Sequence, residues 1–85
     1  MNIKHYSMII EWSDEDSAYI VTVPELPGCR THGETYEEAV QQGQDAIESW
    51  VMVAVEDNEP LPPPRKFDSE VIWRTDWALD QKRAV

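Results

Sequence analysis

Asp14-Glu15-Asp16 is the densest group of ligand-type side chains in the sequence, and clustered carboxylates are the raw material of a divalent-cation site. Consecutive residues on a tight loop splay apart, however. A calcium loop of the EF-hand kind needs alternating ligands and a glycine at its sixth place, and counting from Asp14 that place is Tyr19. The three acids therefore read as a solvated turn. His5 and His32 stand apart from any Ser, Cys or Asp arrangement that would make either a general base. One Cys and two separated His do not close a zinc site. Cys29 precedes Arg30, which would favour its thiolate, but a free Cys is better read as a small buried hydrophobe. Trp12, Trp50, Trp73 and Trp77 offer stacking surfaces, which a chain of net charge −10 would turn to core and interface packing rather than to bases. Gly28, Gly33 and Gly43 are too dispersed for a phosphate-cradling loop. No catalytic, metal or cofactor site is expected.

The elements that carry these residues follow from periodicity. Residues 3–12 alternate, with Tyr6, Met8, Ile10 and Trp12 on one face, and Ala18–Val23 is a second β-branched and aromatic run. With 13–16 as a four-residue loop, Ile10 would oppose Tyr19, Met8 would oppose Val21 and Tyr6 would oppose Val23, building one apolar face. Pro24-Glu25-Leu26-Pro27-Gly28 cannot continue a central strand, because prolines remove ladder donors. Cys29–His32 is a candidate third strand. Thr35-Tyr36-Glu37-Glu38 has the spacing of a capping box. From it a helix is expected over Tyr36–Asp57, with Tyr36, Ala39, Val40, Gly43, Ile47, Trp50, Val51 and Ala54 on its apolar stripe and Asn58 and Pro60 as stops. Pro60–Pro64 is a semi-rigid connector. It divides a domain over 1–64 from a tail over 65–85, in which residues 70–75 are a plausible short strand and 76–83 a helical turn or two.

Charge and composition narrow the function. Residues 1–64 hold two basic groups, Lys4 and Arg30, against thirteen carboxylates, while 65–85 net +1. Such a body is unsuited to phosphate backbones and suited to a basic partner. Hydrophobic content of 41% is too high for a disordered acidic chain. No stretch is long and apolar enough to span a membrane, and Met1–His5 lacks the apolar region of a signal peptide, so the expected location is the cytoplasm. Val51–Val55 is apolar all round and wants a second cover. With Trp73 and Trp77 it suggests a homodimer or higher oligomer, with Val51, Met52, Val53, Val55, Trp73 and Trp77 as contact candidates.

Ile9–Trp12, Ala18–Cys29, Thr31–Ala39 and Ala46–Trp50, in this order and spacing, resemble the N-terminal domain of the HicB antitoxin family. The resemblance covers about residues 3–64, and its most specific part is Val23-Pro24-Glu25-Leu26-Pro27-Gly28-Cys29 followed by Thr31–Thr35 and Glu37–Ala39. It implies an α+β fold, a reduced ribonuclease H-like β-β-β-α-β unit with one long helix on an antiparallel sheet, and it lends a fourth strand to residues 70–75. It also implies a partner: a small basic HicA-like toxin that cleaves mRNA, bound and occluded without chemistry. Fold relatives of the family use clustered carboxylates and Mg²⁺, a set the family has lost and this sequence does not replace. Longer members append a DNA-reading domain. The 21 residues after Pro64 are too few for a three-helix module, which weighs against direct DNA binding. Candidate toxin contacts are the loop acids Asp14, Glu15 and Asp16, the turn residues Glu25 and Leu26, and Glu37, Gln41 and Glu48 on the helix face.

Overall fold

A computed structural model of the chain describes residues 2–68. A short 3-10 turn, Ile3–His5, leads into β1 (Ile9–Ser13), β2 (Ala18–Thr22), β3 (Arg30–Gly33) and α1 (Tyr36–Glu56). The three strands form one antiparallel sheet in the order β1-β2-β3, with α1 packed against it. This is the α+β arrangement expected, a three-stranded sheet with one long helix. The proposed strand over 70–75 and the helical turn after it lie outside the described residues.

The N-terminal strand is shorter than alternation suggested. The Asn2 side chain accepts a hydrogen bond from the Lys4 N–H at 2.8 Å, capping a 3-10 turn where the pattern predicted an extended chain. The hairpin register also differs. Ile10 pairs with Val21 and Trp12 with Tyr19, so the loop is 14–17, not 13–16. Ser13 stays in the ladder opposite Ala18, and its hydroxyl accepts from the Asp16 N–H at 3.2 Å. Ser17, at φ 50°, closes the loop in the left-handed region. The offset amounts to two residues, so each side chain keeps its face.

Between β2 and β3 the Pro24–Gly28 segment folds into a tight bend. Val23 N–H donates to Cys29 O at 3.0 Å and Leu26 N–H to Val23 O at 3.1 Å. Gly28 takes φ 79°, which a side chain would resist. The bend drives Leu26 inward, where it joins Tyr6, Val23, Cys29 and Ile47 in the core. Ile3, Met8, Trp50 and Val51 pack against that cluster.

The capping box forms with one variation. Thr35 Oγ1 accepts from Glu38 N–H at 3.0 Å, while the Glu38 carboxylate reaches back to the N–H of Glu34 rather than of Thr35. At the other end Asn58 adopts φ 56° and Glu59 N–H donates to Ala54 O at 2.8 Å, a Schellman closure with Asn in the glycine place. Ala39, Gly43, Ile47 and Ala54 are the buried helix residues. Tyr36 and Val40, placed on the same stripe by spacing, are exposed, although Ala39 beside them is fully buried where the first turn of α1 meets Gly33 of β3.

Candidate partner-binding surface

The predicted contact residues divide into three groups. Asp14, Glu15 and Asp16 are exposed on the hairpin loop. The Trp12 indole N–H donates to Asp14 Oδ1 at 2.8 Å, which orients both groups. Across the sheet, Trp12 meets Tyr19 edge to face at 5.0 Å between centroids, and Tyr19 stacks on Tyr36 at 4.3 Å. A row of three rings thus joins the acidic loop to the start of α1, where Glu37 is exposed. Burial, and then the neighbouring Tyr36, push the Tyr19 hydroxyl above its ordinary range. Trp12 is 52% and Tyr36 63% exposed, although aromatic residues of this size ordinarily bury most of their surface.

Gln41 and Glu48 form a second group. Both line a shallow cleft with Ile3, Lys4, Met8 and Asp45, and Gln41 Nε2 donates to Asp45 Oδ1 at 3.2 Å. Eleven residues of helix separate Glu48 from Glu37, or roughly 17 Å along the axis. Gln41 and Glu48 thus sit on α1 away from its start, where the ring row and Glu37 are.

Glu25 and Leu26 differ from the loop acids in their surroundings. Leu26 is 1% exposed and fills the core, so it is withdrawn from the candidate contacts. Glu25 is half-buried and its carboxylate is already engaged. It accepts from Ser7 N–H at 3.0 Å, from the Ser7 hydroxyl at 2.9 Å and from Arg65 N–H at 2.9 Å. Burial pushes its pKa up, but the hydrogen bonds from Arg65, from its own backbone and from Ser7 outweigh this and hold it below the ordinary value. Together with the bond from the Tyr6 hydroxyl to Pro62 O at 2.6 Å, this clamp fixes the proline connector against the domain.

Of the oligomer candidates, Val51 packs half-buried against the core, while Met52, Val53 and Val55 are exposed. Trp73 and Trp77 lie outside the described residues. A groove of about 510 Å³ runs between Gly28–Arg30 and the Trp50–Ala54 turn of α1. Cys29 is buried, and burial pushes its thiol up, against the lowering Arg30 would have given. Among the described residues, no three of His, Cys, Asp and Glu come together as a metal-holding group. None of the described helices is long and apolar enough to cross a membrane.

Sequence reasoning missed the ring row and the Glu25 clamp. The row had a legible signal, since Trp12 opposes Tyr19 once Ser13 is counted into the strand. The clamp had none, because it joins residues 18 and 40 positions apart.

Comparison with known proteins places the chain in context. Residues 6–78 match the profile of the HicB_like antitoxin of bacterial toxin-antitoxin systems. A UPF0150 protein of Thermoplasma acidophilum is 42% identical over 57 residues, covering 67% of this chain and 81% of that protein. Antitoxin HicB 1 of Photorhabdus laumondii is 38% identical over 50 residues, 59% of this chain and 32% of the antitoxin. The crystal structure of the N-terminal domain of Burkholderia pseudomallei antitoxin HicB superposes with a TM-score of 0.62 at 28% identity, covering 84% of this chain and 82% of that one.

Proposed function

We propose a function on one premise: this chain belongs to the HicB-like antitoxin family of bacterial toxin-antitoxin systems. On this reading it is a cytoplasmic antitoxin that binds a small, basic, HicA-like mRNA-cleaving toxin and occludes its catalytic or RNA-binding face. Inhibition is stoichiometric, and no bond is made or broken in the toxin. The observation that carries the reading beyond family membership is the acidic, exposed hairpin loop set against a rigid aromatic row, on a chain of net charge −10. Complementary charge of this kind steers association and fixes orientation. Family membership suggests a non-enzymatic role, and the described carboxylates are spread over loop, turn and helix rather than gathered.

The test is co-expression with a small basic HicA-like toxin encoded beside this chain's gene. Expression of the toxin alone should arrest growth, and addition of the chain should restore it and yield a complex of fixed stoichiometry. Continued arrest with no complex would overturn the reading.

A second reading, an orphan homo-oligomer without a toxin, is favoured by the exposed Met52, Val53 and Val55.

A further inference from the structure

Three rings in a row, each end ring touching Tyr19 and more than half exposed, are more aromatic surface than this small core uses. We propose that the Trp12–Tyr19–Tyr36 row is a seat for a guanidinium or ammonium group, carried by an Arg- or Lys-bearing segment of a partner protein. The inference deepens the antitoxin reading and rests on it for the partner being a protein.

Ring order comes first. One face of Tyr36 lies on Tyr19, and Trp12 is held by its bond to Asp14, so the exposed ring surfaces are set before any partner arrives. Binding then loses little side-chain freedom. A cation over such faces is attracted by the ring quadrupole, and Arg can also stack flat.

Charge decides the occupant. Asp14, Glu15 and Asp16 stand at one end of the row and Glu34 and Glu37 at the other, all exposed. Among the described residues, Arg30, Lys4 and His32 lie elsewhere. Arg30 is three strand positions from Gly33, the residue paired with Tyr19, or roughly 10 Å. Lys4 lines the cleft beside Asp45 and Glu48. His32 pairs with Ile20, on the opposite face of the sheet from Tyr19. Nucleic-acid bases would stack on the same rings, but their phosphates would meet five exposed carboxylates. A purely apolar partner would bury Asp14 without a counter-charge. A cationic side chain satisfies both the rings and the acids.

The experiment follows the Trp12 indole N–H by NMR in the whole chain. The probes are a blocked Gly-Arg-Gly-Arg-Gly peptide, the same peptide with neutral citrulline for Arg, and a single-stranded RNA hexamer. The Arg peptide should shift the Trp12 signal saturably, and the citrulline peptide and the RNA should not. Tyr36→Leu and Trp12→Leu should each weaken the Arg peptide by about two- to fivefold, and Tyr36→Phe should leave it bound as before. Unchanged amide spectra elsewhere would establish that the variants fold. Affinity indifferent to both Leu variants would overturn the seat in favour of bulk charge, and tighter binding of RNA at these rings would overturn it in favour of base stacking. Either result alongside successful toxin rescue removes the seat and leaves the antitoxin reading. Ring-dependent peptide binding without rescue does the reverse.

Discussion

Glu25 accepts hydrogen bonds from two segments that are far apart in sequence, and these hold its pKa below the ordinary value despite burial. The consequence for stability has a definite sign. A depressed folded pKa means that the carboxylate's contribution is complete above the unfolded pKa and is lost as pH falls through the folded one. Glu25→Gln should therefore cost about 1–2 kcal/mol at pH 7, in line with hydrogen bonds to a charged group. The gap between wild type and variant should close as pH drops below the ordinary carboxylate range. Urea denaturation of both proteins at a series of pH values checks this, and parallel curves would count against the clamp. At the same scale Leu26 shows how a short turn misleads. In Pro24–Gly28 every neighbour is polar, proline or glycine, yet the bend puts this one side chain into the core.

At the scale of elements, two glycines mark where α1 approaches the sheet, and they differ in what stands opposite. A Cβ on Gly33 would lie 2.5 Å from the Ala39 backbone N and 2.7 Å from its Cα. Neither atom can move without shifting the first turn of the helix. A Cβ on Gly43 would meet Met8 Sδ at 2.5 Å and Val21 Cγ1 at 3.1 Å. The thioether can swing away, and alanine adds helix propensity worth about 1 kcal/mol. Gly33→Ala should thus destabilise by about 2–3 kcal/mol as overpacking does, and Gly43→Ala by less than about 1 kcal/mol. Thermal unfolding of the two variants provides the comparison. Equal losses would mean that α1 sits on the sheet less closely at Gly33 than described.

For the whole molecule, a small acidic body carries an uncovered apolar segment at the end of its long helix. A chain of this length buries roughly 60–65% of its unfolded surface, and Met52, Val53 and Val55 are three large apolar side chains close together that it leaves exposed. We expect the free protein to sediment as a dimer or larger species at micromolar concentration, and Val53→Glu with Val55→Glu to shift it to monomer. A 9.8 kDa species for the unmodified chain would refute self-association through this segment.

The sequence alone determined the features that arise from local physics. Strand faces came from a period of two, the bend from Pro24, Pro27 and Gly28, the helix start from Thr35 and Glu38, and its stop from Asn58. Each is decided within a few residues by steric limits on the backbone or by a nearby hydrogen bond. The family, too, was legible, because motif order survives where single pieces are weak. Tertiary structure decided what depends on distant partners. The hairpin register turned on whether Ser13 served the strand or the loop, and the 3-10 turn at Ile3–His5 interrupted an alternation that looked continuous. Tyr36 and Val40 share the spacing of the buried stripe, but Tyr36 is covered on one face by Tyr19 and stays exposed, while Ala39 between them is buried against Gly33. Glu25 was a surface acid by composition and became a clamp because Ser7 and Arg65 converge on it. Periodicity fixes which side of an element a residue occupies, and only the packed fold decides whether that side is covered.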